Sequence, residues 1–521
     1  MNRNALLNQL ADRDIHWDLI IAGGGGTGLG IAVDAASRGF KTILLEQSDF
    51  AKGTSSRSTK LVHGGVRYLA QGNIGLVREA LRERGILQRN APHLVKNESF
   101  IIPNYEWWGA AFYSIGLKFY DLLSGRLSFG RSKYISREEV MKRLPNIKPA
   151  GLRSGVLYHD GQFDDSRLAV NLAQTALEQG AVLLNYLRVT GLQKEQNRVT
   201  GLTARDEETG ISYALKGKTV INATGVFVDE LLCMDEPDCK PLVRPSQGIH
   251  LVLDESFLDS EDALMIPKTE DGRVLFAVPW HHRIVVGTTD TPLNEHSLEP
   301  VALEEEIQFI LRAAGKYFTH APRREDVLSV YAGLRPLAVP QKENAKTKEI
   351  SRSHKLIVSA SGMISITGGK WTTYRQMGED TVDQAIRTGG LPKRSCVTRT
   401  LPIHGHLAAV DRKDHLYVYG ADLDSVRELF SENAEWKKPL HPRLEYTGAE
   451  VIWAVRCEMA RTVEDVLARR TRALFLDARA AIEMAPAVAA LMAHELKKGS
   501  EWELEQIVSF SKIAEGYLLL K

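Results

Sequence analysis

The chain has 521 residues, 44% of them hydrophobic and 25% charged, with a formal net charge of +1. This balance excludes a disordered or collagen-like chain and supplies no global charge for holding nucleic acid. The length exceeds one ordinary core, so two or three domains are expected. Four cysteines, Cys233, Cys239, Cys396 and Cys457, form no C-x-x-C pair. They read as buried filler or surface thiols rather than metal ligands or disulfides, and no metal is expected. Met1–Trp17 holds no apolar core of a secretion signal. No run of about 18 apolar residues offers a bilayer span. The expectation is therefore a cytoplasmic protein, free or peripheral on the cytoplasmic face of an inner membrane.

In chain order, the first signal is a short apolar run, Leu19–Ala22, followed by Gly23, Gly25 and Gly28 in G-x-G-x-x-G spacing. A helical segment, Leu29–Arg38, stops at Gly39, and a second strand, Lys41–Glu46, ends in an acid. Each part has a task in dinucleotide binding. Gly23 permits a tight turn, Gly25 lets backbone approach a pyrophosphate, and Gly28 lets helix and strand pack closely. The helix N-terminus presents N–H groups to phosphate, and Glu46 can accept from a ribose diol. A hydroxyl-rich loop with Thr54, Ser55 and Ser56 follows, then a helical pattern from about Ile74 to Arg89.

The stretch Tyr105–Tyr120 is strongly aromatic and is followed by Arg126, Arg131 and Lys133. Such residues suit a lipid headgroup boundary, and they equally suit the floor or lid of an active site. A strand at Thr219–Ala223 ends in the turn Asn222-Ala223-Thr224-Gly225. Period-two strands recur at Gly248–Leu253, Arg273–Val278 and Arg283–Thr288. His281 and His282 read as a polar turn between two of them. Leu356–Ser359 and Met363–Thr367 read as strands, and Gly368-Gly369-Lys370 leads into a helix from about Trp371 to Arg387. Beyond Gly389-Gly390 the texture is helical, with Gly448–Leu467 and Asp477–Lys497 showing helical periodicity. We expect a composite oxidoreductase region over 1–390 and a C-terminal helical domain over 391–521.

Several ordered blocks resemble the FAD-dependent glycerol-3-phosphate dehydrogenases. They are Gly53–Leu69 (GTSSRSTKLVHGGVRYL), Asn222–Gly225, Ile284–Asp290, Tyr331–Leu337 (YAGLRPL) and Thr367–Arg375 (TGGKWTTYR). Two departures stand out: Gly26-Thr27, where the family often has a larger residue followed by Asn, and Trp371, where Leu is commoner. The resemblance implies an α/β fold with a Rossmann-like FAD-binding domain of glutathione-reductase type, an antiparallel substrate-binding sheet and a helical tail. It implies FAD as cofactor, sn-glycerol 3-phosphate as substrate, hydride transfer from C2 to flavin N5, a quinone acceptor and attachment to one membrane face. Anionic lipid and a second copy in a homodimer are the further partners expected, and nucleic acid is not.

On that reading Gly23, Gly25, Gly28, Glu46, Thr54, Ser55, Ser56, Ala223, Gly225, Gly368, Gly369 and Lys370 bind the cofactor. A phosphate dianion in a pocket calls for charge-assisted hydrogen bonds. Arg67, after His63-Gly64-Gly65-Val66, Arg335, before Pro336, and Lys370, after two glycines, are the cations in constrained settings. Tyr68 and Thr289 are further candidate donors. Removing hydride from a secondary alcohol leaves a hydroxyl proton for a base. His250, on an alternating strand after Gly248, is the candidate for it or is a hydrogen-bonded sheet histidine. His63 is a second candidate, read as structural, and Arg335 can also hold a developing alkoxide. The alternatives are a glycerol-3-phosphate oxidase that makes hydrogen peroxide, an amine or amino-acid oxidase of similar fold, and a flavin-binding module without catalysis. The oxidase branch often carries a mid-chain insertion for which 521 residues leave little room.

Overall fold

The computed structural model describes residues 1–10, 15–65, 73–106, 109–124, 129–270, 272–339 and 354–519. Arg67, Tyr68, Trp107, Trp108 and Arg126 lie outside them.

Among the described residues the first sheet has eight strands. Its parallel core runs Ile364–Thr367, Ser212–Asn222, His16–Ala22, Thr42–Leu45, Val182–Leu184. Alternation along His16–Ala22 sends Leu19 and Ile21 into one apolar cluster with Ile31, Ala35 and Leu172. Ile20 and Ala22 enter another, with Trp17, Leu202 and Leu231. Both faces are covered, which is why this strand reads as a continuous apolar run and not as an alternating one. The helix Gly26–Ser37 follows, and Gly39 at φ +78° turns the chain back toward the next strand.

The second sheet has ten strands among the described residues. All its pairings are antiparallel but one, Ala263–Ile266 beside Lys96–Asn104. At its centre the strand Val243–Asp254 lies between Arg283–Gly287 and Ser329–Ala338. Ile249, Leu251 and Leu253 share a core with Ile307 and Ile310 of the helix Glu304–Gly315. The period of two sends His250 and Val252 to the opposite face.

That opposite face is covered from the C-terminal side. Val252, Trp280, Val285 and Tyr331 share a cluster with Phe475, Met484 and Val488. The predicted helix Gly448–Leu467 is broken: helix Gly448–Cys457 ends, and a π-helical turn, Asp465–Arg470, follows. Asp477 caps the helix Ala478–Leu496 by accepting from Ala480 N. One cysteine reading is corrected. Helix Val228–Asp235 and the turn after it bring Cys233 and Cys239 to a Cα separation of 5.6 Å, and they form a disulfide. Six residues of separation concealed the pair from a search for C-x-x-C.

Candidate active site

A cavity of about 370 Å³ runs from the end of the parallel strands to the central strands of the second sheet. Its first half is a phosphate and ribose cradle. Gly23 sits at φ +107°, and a Cβ there would lie 2.6 Å from the Ala223 carbonyl oxygen, so the Asn222–Gly225 turn rests on the glycine turn. A Cβ on Gly28 would collide with the Gly23 carbonyl, which is the close packing expected of the third glycine. The N-cap of the helix Gly26–Ser37 is Gly25, which has no side chain to cap it, and Thr27 of its first turn lines the cavity. The positive helix end is thus left to a ligand anion.

Glu46 lines the cavity and is fixed by accepting Gly24 N at 2.6 Å and Ser48 N at 2.9 Å. Burial pushes its carboxyl above the usual range, and the two amides oppose that. Gly25, Thr54, Ser55, Ala223, Gly225, Gly368, Gly369 and Lys370 also line the cavity. Gly225, Gly368 and Gly369 all have positive φ. Ser55 Oγ accepts Gly26 N at 2.9 Å, and Thr54 Oγ1 donates to the Leu334 carbonyl. Ser56 is a correction: 1% exposed, it turns away from the cavity and donates to the Gly53 carbonyl.

These residues fit FAD. They combine a helix end with a glycine at its N-cap for the pyrophosphate, an acid at the second strand's end for a ribose, and a glycine-lined floor toward the second sheet.

The second half of the cavity carries chemistry. His250 is 2% exposed and faces Gly287 and Tyr331 across its two neighbouring strands. Its ring stacks on Tyr331 with centroids 4.8 Å apart, and a Cβ on Gly287 would occupy its place. Nε2 lies 2.9 Å from Thr59 Oγ1. Burial, then the charges of Lys60 and Arg335, hold the imidazole well below its ordinary value, so it is neutral. Arg335 donates to the carbonyls of Gln247 and Thr289 and to Thr288 Oγ1, with Asp290 Oδ1 at 3.4 Å.

Arg335, Lys370, His250 and His63 share this cavity. Thr289 is a correction: its Oγ1 donates to Glu306 Oε1 at 2.7 Å and accepts Ile249 N, so its one hydroxyl proton is committed inside the sheet. His281 and His282 form the turn expected of them, both at positive φ. Arg67 and Tyr68 lie outside the described residues.

Sequence reasoning did not single out Thr59, Lys60, Tyr331 or Asp165. Thr59 and Lys60 belong to the hydroxyl-rich block, but only the folded register shows that Thr59 meets His250. Tyr331 becomes the partner of His250 by strand pairing, which no local spacing reveals.

Fold and site together define a flavoprotein oxidoreductase with a cationic substrate pocket. The FAD dependent oxidoreductase family matches residues 18–375, and the C-terminal domain of alpha-glycerophosphate oxidase matches 363–503. The mitochondrial glycerol-3-phosphate dehydrogenase of Saccharomyces cerevisiae is 36% identical over 98% of this chain and 91% of its own. That of Schizosaccharomyces pombe is 36% identical over 99% and 89%. The glycerol-3-phosphate dehydrogenase from Bacillus halodurans complexed with FAD superposes with a TM-score of 0.81, at 30% identity over 100% and 98% of the two chains. The chain belongs to the FAD-dependent oxidoreductases and, within them, to the glycerol-3-phosphate dehydrogenases. The cytoplasmic placement expected from the sequence is overturned by the Saccharomyces cerevisiae and Schizosaccharomyces pombe relatives, which are named mitochondrial. Among the described residues no helix is long and apolar enough to cross a membrane.

Proposed function

We propose that the chain oxidises sn-glycerol 3-phosphate to dihydroxyacetone phosphate and delivers the electrons to a quinone. The observation that carries the reading is the meeting, in one cavity, of the FAD cradle, two cations from separate motifs, Arg335 and Lys370, and a buried neutral histidine. Bound FAD supplies the two-electron sink for the hydride leaving C2. Lys370, Arg335 and Arg67 meet the phosphate, with Tyr68 beside them, and Arg335 also holds the oxygen on C2 as it loses its proton. Thr59 lines the cleft, and its Oγ1 takes that hydroxyl proton as it passes its own to His250 Nε2, 2.9 Å away. The dehydrogenase names of the relatives favour this reading over the oxygen-consuming oxidase.

The division at residue 390 belongs to the same proposal, as does contact with anionic lipid. Of the helix Gly109–Ser124, Leu117 and Tyr120 are buried, whereas Phe119 is 41% and Leu122 74% exposed. Ile74 and Tyr134 are exposed as well, and Lys118 and Lys133 supply cations. Co-sedimentation with anionic vesicles at low salt reads the lipid contact, and analytical ultracentrifugation in detergent reads the homodimer. The activity is tested by anaerobic mixing. Glycerol 3-phosphate bleaches the flavin absorbance near 450 nm within the turnover time and glycerol does not; equal bleaching by glycerol defeats the phosphate clamp.

A further inference from the structure

The C-terminal helical region reaches the catalytic wall with Phe475, whose ring centroid lies 4.9 Å from that of Tyr331, and with the polar side chain of Arg472. Arg472 lies just past the π-helical turn Asp465–Arg470 and sits at φ +66°, a left-handed conformation that a non-glycine residue adopts only when its surroundings hold it there. It is 1% exposed. Its Nη2 donates to the Ser56 carbonyl at 2.8 Å and to Asp165 Oδ1 at 3.2 Å, and its Nη1 donates to Ser166 Oγ and the Ala468 carbonyl. Asp165, fully buried at the start of the helix Asp165–Glu178, is the centre of the knot. Its Oδ2 accepts Ser58 N at 3.0 Å, Ser58 Oγ at 2.7 Å and Lys60 Nζ at 2.8 Å. Lys60 also donates to the Ser56 and Ser58 carbonyls, and Tyr331 Oη donates to the Ser58 carbonyl at 3.1 Å.

The bonds to the Ser56 and Ser58 carbonyls, to Ser58 N and Oγ and to Lys60 Nζ grip the segment Ser56–Lys60 at Ser56, Ser58 and Lys60 but not at Thr59. Its hydroxyl is the one that points out to His250 Nε2, 2.9 Å away. The segment is short, irregular and lines the cavity at Ser58 and Thr59. It is also tied by Ser58 Oγ accepting Lys60 N, by the Lys60 carbonyl accepting Phe163 N, and by Arg57 donating to the Ala332 carbonyl and Glu299.

We infer that Arg472 is a positioning residue for proton transfer: through Asp165 and the Ser56 carbonyl it fixes the Ser56–Lys60 segment, so that Thr59 Oγ1 is held where it relays the substrate hydroxyl proton to His250 Nε2. The helical region thereby completes the active site of the other half of the chain. This rests on the reading of His250 as the base.

The test compares Arg472→Lys, Thr59→Val and their double variant as purified holoenzymes, with dye-linked kinetics, flavin content and the pH profile of kcat. Arg472→Lys keeps a charge but loses the fork. We expect it to retain FAD and to change KM by less than about twofold, while kcat falls roughly tenfold or more and its acid limb moves. In the Thr59→Val background the same change should have almost no further effect on kcat, because both act through one contact. Unchanged kcat in Arg472→Lys with FAD retained, or multiplying effects in the double variant, overturns the inference. If Arg472→Lys fails to hold FAD, Ser58→Ala, which removes one bond to Asp165, is judged by the same criteria. His250→Asn is the control: if it turns over normally, the reading of His250 has failed. If it is impaired while Arg472→Lys is not, only the role of Arg472 has failed.

Discussion

A Cβ placed on Gly26 would lie 2.8 Å from Cη2 of Trp371, whose indole Nε1 donates to the Ser55 carbonyl at 2.9 Å. Ser55 Oγ in turn accepts Gly26 N. Two of the three positions named as departures from the resembled pattern, Gly26 and Trp371, are therefore in contact: the absence of a side chain at 26 makes the space that the larger ring at 371 fills. Gly26→Ala should overpack this contact and destabilise the holoenzyme by about 1–3 kcal/mol. Trp371→Leu in the same chain should return most of it. Melting of the four proteins of the cycle with FAD bound checks this, and additive effects would mean that the two positions are independent.

The cradle itself is tested at Gly25, whose Cβ would lie 3.1 Å from Ser55 Oγ and in the path of a pyrophosphate. The purified protein should be yellow, with FAD released on denaturation. Gly25→Val should be colourless while still folded by circular dichroism. A Gly25→Val protein with full flavin content would remove this glycine from the site.

For the phosphate, Arg335→Ala, Lys370→Ala and Arg67→Ala should each lower kcat/KM by an amount equivalent to about 2–5 kcal/mol, since each leaves anionic oxygens without a charged partner. Flavin content should survive Arg335→Ala and Arg67→Ala. Thr289→Val should instead act on stability, because its hydroxyl serves Glu306. Loss of substrate affinity without loss of stability in Thr289→Val would reverse that correction.

The pH dependence follows from His250. Burial, with Lys60 and Arg335 adding to it, depresses the imidazole, so the neutral, proton-accepting form persists below the ordinary histidine range. At saturating substrate, kcat should stay level as pH falls through about 6.5 and decline only below it. His250→Asn should lower kcat by about 10²–10⁴. An acid limb at the ordinary imidazole value would show that His250 is solvated or is not the base.

Much of the nucleotide half was legible because its signals are local. A glycine spacing, an apolar strand and a terminal acid each specify a turn, a packing distance or a hydrogen bond without reference to distant chain. The side on which His250 lies was legible too, from alternation along Gly248–Leu253. What stayed hidden depends on register and on long-range contact. Thr59 reaches His250 across 191 residues of sequence, and Arg472 reaches Ser56 across 416. Thr289 was read as a pocket donor because its neighbours matched a motif, yet in the turn after the strand Arg283–Gly287 its hydroxyl donates to Glu306, 17 residues on. The break between Cys457 and Asp465 escaped periodicity because the apolar positions continue through it.

Acid stability should depend on a second link between the two halves. Asp49 is fully buried; burial alone would raise its carboxyl, but Arg470 and Arg469 bring it down to about 2. Because the folded value lies below the unfolded value of about 3.9, its stabilisation is complete above about pH 4 and is lost as pH falls toward 2. Asp49→Asn removes the carboxylate that the two arginines share, leaving Arg469 with Glu464 and Asp465 and Arg470 with Glu458, and should destabilise by about 3 kcal/mol near neutral pH. It should also flatten the acid limb of unfolding followed by tryptophan fluorescence. Acid profiles that coincide for the two proteins would show that other carboxylates govern acid unfolding.

The central claim is that this cavity oxidises a phosphorylated secondary alcohol and hands the electrons to a quinone. The most direct measurement is steady-state turnover with a short-chain ubiquinone, an artificial dye and oxygen as separate acceptors, quantifying dihydroxyacetone phosphate and hydrogen peroxide together. The account predicts one dihydroxyacetone phosphate per quinone reduced, turnover with the dye, negligible peroxide, and no turnover when glycerol replaces glycerol 3-phosphate. Stoichiometric peroxide with oxygen alone, or equal rates with glycerol, would contradict it.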